Sequence, residues 1–305
     1  MVLAFGTVCM DRLRRVASLP VAGGYVEIED EQQLLGGEAA NTANALSAWG
    51  DPVILAGNPL GISEDANLIR ESLAARGLPL LEMAKTADNQ ATVTPVCDIY
   101  VTPDGDRTMF GRGFSSLEHH LNLDAMPWDG ANWFTVEPNM EKASRQAARM
   151  AHARGLKLYL MDFIRPEDPI SEGSFWQSST DWAGHRHNVQ RNVRWVRELV
   201  EQFGCFAVLS DGPNGFVAGS PSLPVQAYPP YPASIVVDTT GAGDLFRAGM
   251  LHGLDKGWEI SDCLRFASAA GCLKCRTFGA TTDVPTVNEI QRHIAENPEV
   301  SRQYG

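Results

Sequence analysis

The sequence predicts an α/β fold, a mainly parallel sheet covered by helices on both faces, with a small β element beside it. Short apolar runs alternate with amphipathic segments along most of the chain, as they do when parallel strands are joined by crossover helices. Two β-rich stretches, residues 11–35 and 91–113, break that alternation and are placed to pair with each other as a small lid. The 305 residues, 44% hydrophobic and 20% charged, read as one domain over 1–305, with ample apolar content for a core.

The elements follow in order. Val2–Val8 is a short apolar run ending in small residues, as a buried strand does. Tyr25–Leu35 alternates loosely up to Gly36-Gly37. In Asn41–Trp49, Ala43, Ala45, Leu46 and Trp49 recur at helical spacing and Gly50 ends the helix. Val53–Ala56 reads as a strand and Ala66–Ala75 as an amphipathic helix closed by Gly77. Thr92–Val101 is β-branched and aromatic, Pro103-Asp104-Gly105-Asp106 has turn chemistry, and Arg107–Phe110 leads back, which together predict a hairpin. Trp133–Val136, Lys157–Met161 and Phe206–Leu209 are strands, and Lys142–Arg154 and Asn188–Phe203 are helices. Ile235–Val237 reads as a strand entering a Gly-rich turn, with helices over Leu245–Leu254 and Cys263–Cys275 beyond it. The polar, Ser-rich stretch Arg165–Gly184 receives no element.

Charge narrows the function. A net charge of −12 and a pI of about 5.0 argue against nucleic acid or an anionic membrane as partner, since both need clustered Lys and Arg. A nucleotide is still compatible, because backbone N–H groups in one pocket can bind its phosphates. The first residues, MVLAFGTVCMD, lack the features of a signal peptide, and no run is long and apolar enough to span a membrane. Six scattered cysteines in so long a chain imply reduced thiols and a cytoplasmic setting. Cys272 and Cys275 form a C-x-x-C without a second pair at zinc spacing, and read as two helix-packing thiols.

The strongest local signal is Asp238-Thr239-Thr240-Gly241-Ala242-Gly243-Asp244, after an apolar run and before a helical pattern. Small residues let a ligand approach the backbone, and a helix start offers free N–H groups and the positive end of a dipole. A carboxylate there is placed to take a proton from a hydroxyl beside an anion hole, as phosphoryl transfer requires. The competing reading is that both aspartates only cap the turn and helix.

This heptapeptide, followed by Leu245-Phe246 and Gly249, resembles the D-T-x-G-A-G-D signature of the ribokinase-like (PfkB) carbohydrate kinases. Gly36-Gly37-Glu38-Ala39-Ala40-Asn41-Thr42-Ala43 resembles that family's N-terminal signature, in the expected order. The resemblance implies a ribokinase-like three-layer sandwich with a mainly parallel central sheet and a small β lid. It also implies ATP as phosphoryl donor, with Mg2+ and in many members K+. By similarity Asp244 is the catalytic base, and the amides of Gly241, Ala242 and Gly243 form the anion hole. Asp11 matches the early acid that holds sugar hydroxyls, and a carboxylate can accept two such bonds. Gly37 and Asn41 match substrate-side positions, and Glu137 is a further candidate, with surface exposure as its alternative. Asn41 also reads as the N-cap of its helix, a role compatible with the first. Ser210, Gly212 and Gly215 resemble the turn that lies along the nucleotide. Asp238, Thr240 and Gly279 match positions that bind a monovalent cation.

The departures from the family pattern are specific. No N-x-x-E lies between Asp162 and Ser210, and Ser178-Ser179-Thr180-Asp181 is the stand-in, with Asp181 either an outer-shell acid toward magnesium or a helix N-cap. Gly57–Asp65 carries an extra residue, and Asp162-Phe163-Ile164-Arg165 replaces D-x-N-x-R. No P-loop or dinucleotide fingerprint is present. The acceptor is left open. A sugar-like hydroxyl is favoured; a nucleoside would use Tyr100, Phe110 and Phe114 to stack its base, and an acidic or phosphorylated sugar would use Arg107, Arg112 or Arg165. A catalytically degenerate binder that regulates a partner is the non-enzymatic alternative. Lid edges would also suit a homodimer.

Overall fold

The computed structural model describes residues 1–84, 93–115, 117 and 121–305. The first half contains strands β1 (Val2–Gly6), β2 (Cys9–Val16), β3 (Ile28–Gly36), β4 (Val53–Gly57), β5 (Leu80–Glu82), β6 (Val96–Val101), β7 (Arg107–Arg112) and β8 (Trp133–Val136). Strands β9 (Lys157–Met161), β10 (Phe175–Ser179), β11 (Phe206–Ser210), β12 (Phe216–Ser220) and β13 (Leu223–Tyr228) follow. The helices are α1 (Glu38–Ala48), α2 (Glu64–Ala75), α3 (Glu141–Ala153), α4 (Val189–Phe203), α5 (Ala242–Asp255), α6 (Ile260–Lys274), α7 (Val287–Glu296) and α8 (Pro298–Ser301).

Nine strands form the main sheet in the order β13-β12-β11-β10-β9-β8-β1-β4-β5. From β5 to β11 every pair is parallel; the β12–β13 hairpin closes one edge antiparallel. The pleat of β1 shows why both faces are covered. Leu3 and Phe5 pack with Ala147 and Ala151 of α3 and Val196 of α4. Val2 joins the cluster built on α5 and α6, and Ala4 joins α1 and α2. This is the three-layer sandwich expected from the alternating pattern.

A second sheet, β3-β2-β6-β7, is made from the two stretches that broke the alternation. Here β2 pairs antiparallel with β3 and parallel with β6, and β6–β7 is the expected hairpin. Ala91 and Thr92, taken as the start of that region, lie outside the described residues. Residues directly opposite share a face, so Leu34, Asp11, Cys97 and Gly111 form one row. Leu13, Ile99 and Met109 form the next, and Arg15, Val101 and Arg107 the third. This face lies over the C-terminal loops: Leu13, Ile99 and Val101 cluster with Phe278 and Val237, and Arg15 stacks on Phe278 at 5.1 Å. Arg107 donates to Thr239 Oγ1 (2.8 Å), which itself donates to the Gly105 carbonyl (3.1 Å).

Two expectations need correction. Ile235–Val237 is not a strand. Ile235 and Val236 are exposed, and the amides of Val237 and Asp238 both donate to one carbonyl, Cys275 O, at 2.7 and 3.3 Å. The unassigned stretch 165–184 contains β10, an interior strand of the main sheet. Its polar residues are buried because each finds a partner. Gln177 accepts from Tyr159 (2.7 Å) and donates to Gly243 O (2.9 Å), and Ser178 donates to Asp162 (2.6 Å).

Candidate active site

The chain leaves β1 toward β4 on one side and meets β8 on the other, a switch point where the carboxyl ends of parallel strands open a crevice. Strands β8 and β9 are each followed directly by an acid there. Glu137 follows β8 directly and is fully buried, accepting from the amides of Thr7 and Asn139. Asp162 follows β9 with a positive φ of 58°, which turns its carboxylate back to Ser178. Glu38 opens α1; the residue is partly exposed, but its Oε2 is buried without a partner. Asp11 lies beside Gly36, and any Cβ at Gly36 would collide with its carboxylate.

Asp244 stands in the first turn of α5, whose N-cap is Gly241 at φ 80°. A side chain at Gly241 would meet both a disfavoured backbone region and Ala280. The Asp244 carboxylate accepts from Asn41 Nδ2 at 2.8 Å and from Arg247 at 3.3 Å. Arg247 is fully buried and also donates to Thr42 Oγ1 (2.8 Å) and to the Glu38 carbonyl (2.5 Å), so it fastens α5 to α1. Asn41 lies inside α1 and does not cap it; the N-cap is Gly37, at φ 98°. The Asn41 Oδ1 is buried beside the Asp244 carboxylate with no partner among the described residues. Of the three turn amides, Ala242's closes onto Thr239 O (3.2 Å). Those of Gly241 and Gly243 have no acceptor among the described residues.

The acids share one electrostatic field. Burial raises the Asp244 carboxyl to about 6, with Arg247 and the Asn41 bond pulling it down. Burial likewise raises Asp162 to about 6, against the Ser178 bond and Arg247. It raises Asp11 to about 7, opposed by the Cys9 thiol and reinforced by the Asp244 charge. Glu38 is pushed well up by burial and then by the charges of Asp162, Glu137 and Asp244. Glu137 is also raised by burial, and its two backbone donors hold it down. Such a cluster is poised to bind a proton, a hydroxyl or a hydrated cation.

On the far side, Ser210, Gly212 and Gly215 form the expected turn after β11. Gly212 and Gly215 have φ of 52° and 86°, and Asp211 braces the turn by accepting from Thr180 Oγ1 (2.7 Å) and His187 N (2.9 Å). Asp181 is exposed and paired with Arg186, while Asn188 caps α4, so the capping alternative for Asp181 does not hold.

Asp238, Thr240 and Gly279 do come together. Asp238 Oδ1 accepts from Thr240 N (2.9 Å) and Oγ1 (2.7 Å), and Oδ2 accepts from Gly279 N (2.8 Å). The fit to a monovalent cation is poor. The carboxylate is already held by three protein donors, and a fully buried ammonium, Lys274 at the end of α6, braces the adjoining turn through Thr277.

The register of the small sheet sorts the acceptor candidates. Tyr100 and Phe110 pack edge to face on the side opposite Asp11, and Phe114 packs against the main core. Arg112 is also on that outer side, and Arg165 pairs with Glu141 at 2.8 Å. Arg107 alone of the three arginines is on Asp11's face. Cys272 and Cys275 are free thiols at the end of α6, bonded to Tyr231 O and Gly271 O. No helix among the described residues is long and apolar enough to cross a membrane.

Sequence reasoning missed Glu38, Arg247 and Lys274, and noticed Asp162 only as a departure. An acid immediately after each of two successive parallel strands was the available signal for Glu137 and Asp162. The buried cations gave none, because an Arg or Lys on a helix is exposed by default.

Comparison with known proteins agrees with this geometry. A family model described as pfkB family carbohydrate kinase matches residues 1–287. An uncharacterized sugar kinase from Dictyostelium discoideum is 29% identical, with 96% of this chain and 97% of that protein covered. The ribokinase of Bacillus subtilis is 23% identical over 96% and 99% of the two chains. The crystal structure of a putative ribokinase from Agrobacterium tumefaciens superposes with a TM-score of 0.79 at 20% identity, covering 98% of each chain. With the switch-point acids and both glycine-rich signatures in place, the chain belongs to the pfkB family of carbohydrate kinases.

Proposed function

We propose that this protein transfers the terminal phosphoryl group of ATP to a hydroxyl of a sugar or sugar-like small molecule. The observation that carries the reading is the pairing of Asp244 with Asn41 at the start of α5. A carboxylate raised to about 6 is held by the Asn41 amide, and the other Asn41 atom, Oδ1, is a buried acceptor without a partner. A hydroxyl entering here finds a base for its proton and a second acceptor beside it.

The free N–H groups of Gly241 and Gly243, at the positive end of α5, are placed to stabilise the charge on the transferred group. Asp11 would hold a neighbouring hydroxyl, and Gly36 leaves room for its carboxylate. The Ser210–Gly215 turn would lie along the nucleotide. The oxygen donors near Asp244 suit a hydrated Mg2+, with Glu38 and Asp162 the acids best placed to hold it; bound with ATP it would neutralise phosphate charge. The small sheet acts as a lid whose closure excludes water from the reacting groups.

Two features favour a sugar over a nucleoside or an acidic acceptor. The aromatic pair Tyr100–Phe110 faces away from Asp11, so it offers no stacking platform there. The cleft side of the lid presents Cys97, Gly111 and Met109, and its two guanidinium groups are already engaged, Arg107 by Thr239 and Arg15 by the Phe278 ring.

The test is ADP release across a panel of sugars, sugar acids, sugar phosphates and nucleosides with Mg-ATP. A hit that disappears in Asp244→Asn supports the reading. Nucleotide binding with no transfer to any member of the panel would move the weight to a regulatory binder.

A further inference from the structure

Asp238 and Lys274 are both fully buried charges. Neither forms a direct ion pair among the described residues. The Lys274 ammonium donates to Thr277 O at 3.1 Å and Thr277 Oγ1 at 3.3 Å, and Asp238 is held by the neutral donors of Thr240 and Gly279. A buried charge without an opposite charge costs several kcal/mol and is rare in folded proteins.

The two lie in adjoining turns that are sewn together. Cys275, next to Lys274, receives the amides of Val237 and Asp238 on its carbonyl. Gly279, in the loop that Lys274 braces through Thr277, donates to Asp238. Burial pushes Lys274 down from its ordinary value, and of the surrounding charges Asp238 is the strongest pulling it back up, ahead of Asp283; Arg276 opposes them. They are the two buried charges of these adjoining turns, and the carboxylate is the strongest opposite charge acting on the ammonium. A bound potassium ion would place a second positive charge against a single carboxylate, beside an ammonium that cannot leave.

We propose that Lys274 is the resident cation of this site, and that the Asp238–Gly241 turn is organised by its ammonium in place of a monovalent metal ion. The site lies one turn from the proposed anion hole, so the inference bears on the kinase reading, but its first test does not depend on turnover.

The full chain is melted in KCl, NaCl and tetramethylammonium chloride at equal ionic strength, with and without ADP. Wild type is expected to melt alike in the three salts. Lys274→Met is expected to melt lower by roughly 5 °C or more in tetramethylammonium chloride. It should recover part of that loss selectively in KCl or NaCl, as a metal ion enters the vacated space. A potassium-selective rise in the wild-type melting temperature overturns the proposal. So does a Lys274→Met protein that folds but responds equally to all three salts. If Lys274→Met does not fold, Lys274→Gln replaces it, and the wild-type comparison still decides. Failure of the kinase reading would appear separately, as an absence of transfer in every salt.

Discussion

The glycine-rich heptapeptide begins and ends with an aspartate, and the two ends are built for opposite purposes. Asp238 is fully buried and accepts three hydrogen bonds from Thr240 and Gly279. Asp244 has one good donor, Asn41, and a longer contact to Arg247, and its carboxyl is raised to about 6. In the proposed reaction, two residues of the same type in one short motif would thus serve as a structural anchor and a reactive group. The difference lies in donor count and in which way each faces.

The sharpest way to separate the two ends is Asp244→Asn. If Asp244 is the base, kcat falls by about 10²–10⁴-fold, while nucleotide affinity changes little. A variant as active as wild type would remove the base from that end. Asp238→Asn should do the reverse. With Lys274 left uncompensated the fold loses ~3 kcal/mol, read by denaturant melting, and the double variant with Lys274→Met should lose less than the sum of the singles. Additive losses would mean the two charges ignore each other.

The next contrast is in pH. If Asp244 is the base, turnover needs it deprotonated, and Asp11 at about 7 adds a second titration, so kcat/KM should rise with pH across about 6 to 7. Stability runs the other way. These carboxyls hold their proton more tightly folded than unfolded, so their contribution is best below the unfolded value of 3.8 and is lost as pH rises through the folded one. Asp244→Asn should therefore gain stability relative to wild type as pH rises through about 6. A melting difference that is flat with pH would contradict the raised carboxyl. The smallest effect is expected at the outer face of the lid. Phe110→Ala should leave the acceptor KM unchanged and shift stability by no more than ~0.5 kcal/mol; a large rise in KM would return that aromatic to the acceptor site.

Much of this architecture is legible in the amino-acid sequence. The alternating pattern points to the parallel sheet because its strands are apolar on both faces, and the two signatures locate the cleft. The hidden parts share a physical cause, which is dependence on distant partners. Strand β10 reads as a polar loop because Gln177 and Ser178 are buried only by virtue of Tyr159, Gly243 and Asp162. Glu137 is inside because β8 pairs with β1, which brings Thr7 to it. Asn41 reads as a cap, yet Gly37 starts the helix earlier. Ile235–Val237 has strand composition but is taken up by contacts with the lid and with Cys275. The sidedness of Phe110 follows from β6–β7 register, and composition alone does not contain it.

The bonds that join β3 and α1 to the C-terminal segments span much of the chain: Asn41 to Asp244 and Thr42 to Arg247 are separated by 203 and 205 residues, and Leu35 to Thr281 by 246. During synthesis the N-terminal signature therefore waits, unpaired, until most of the polypeptide has left the ribosome. An incomplete chain carries the proposed sugar-side residues without the proposed base, and a C-terminal fragment carries Asp244 without Asn41 to hold it. Neither piece alone brings Asn41 and Asp244 together, so the proposed reaction would need both signatures in one folded molecule.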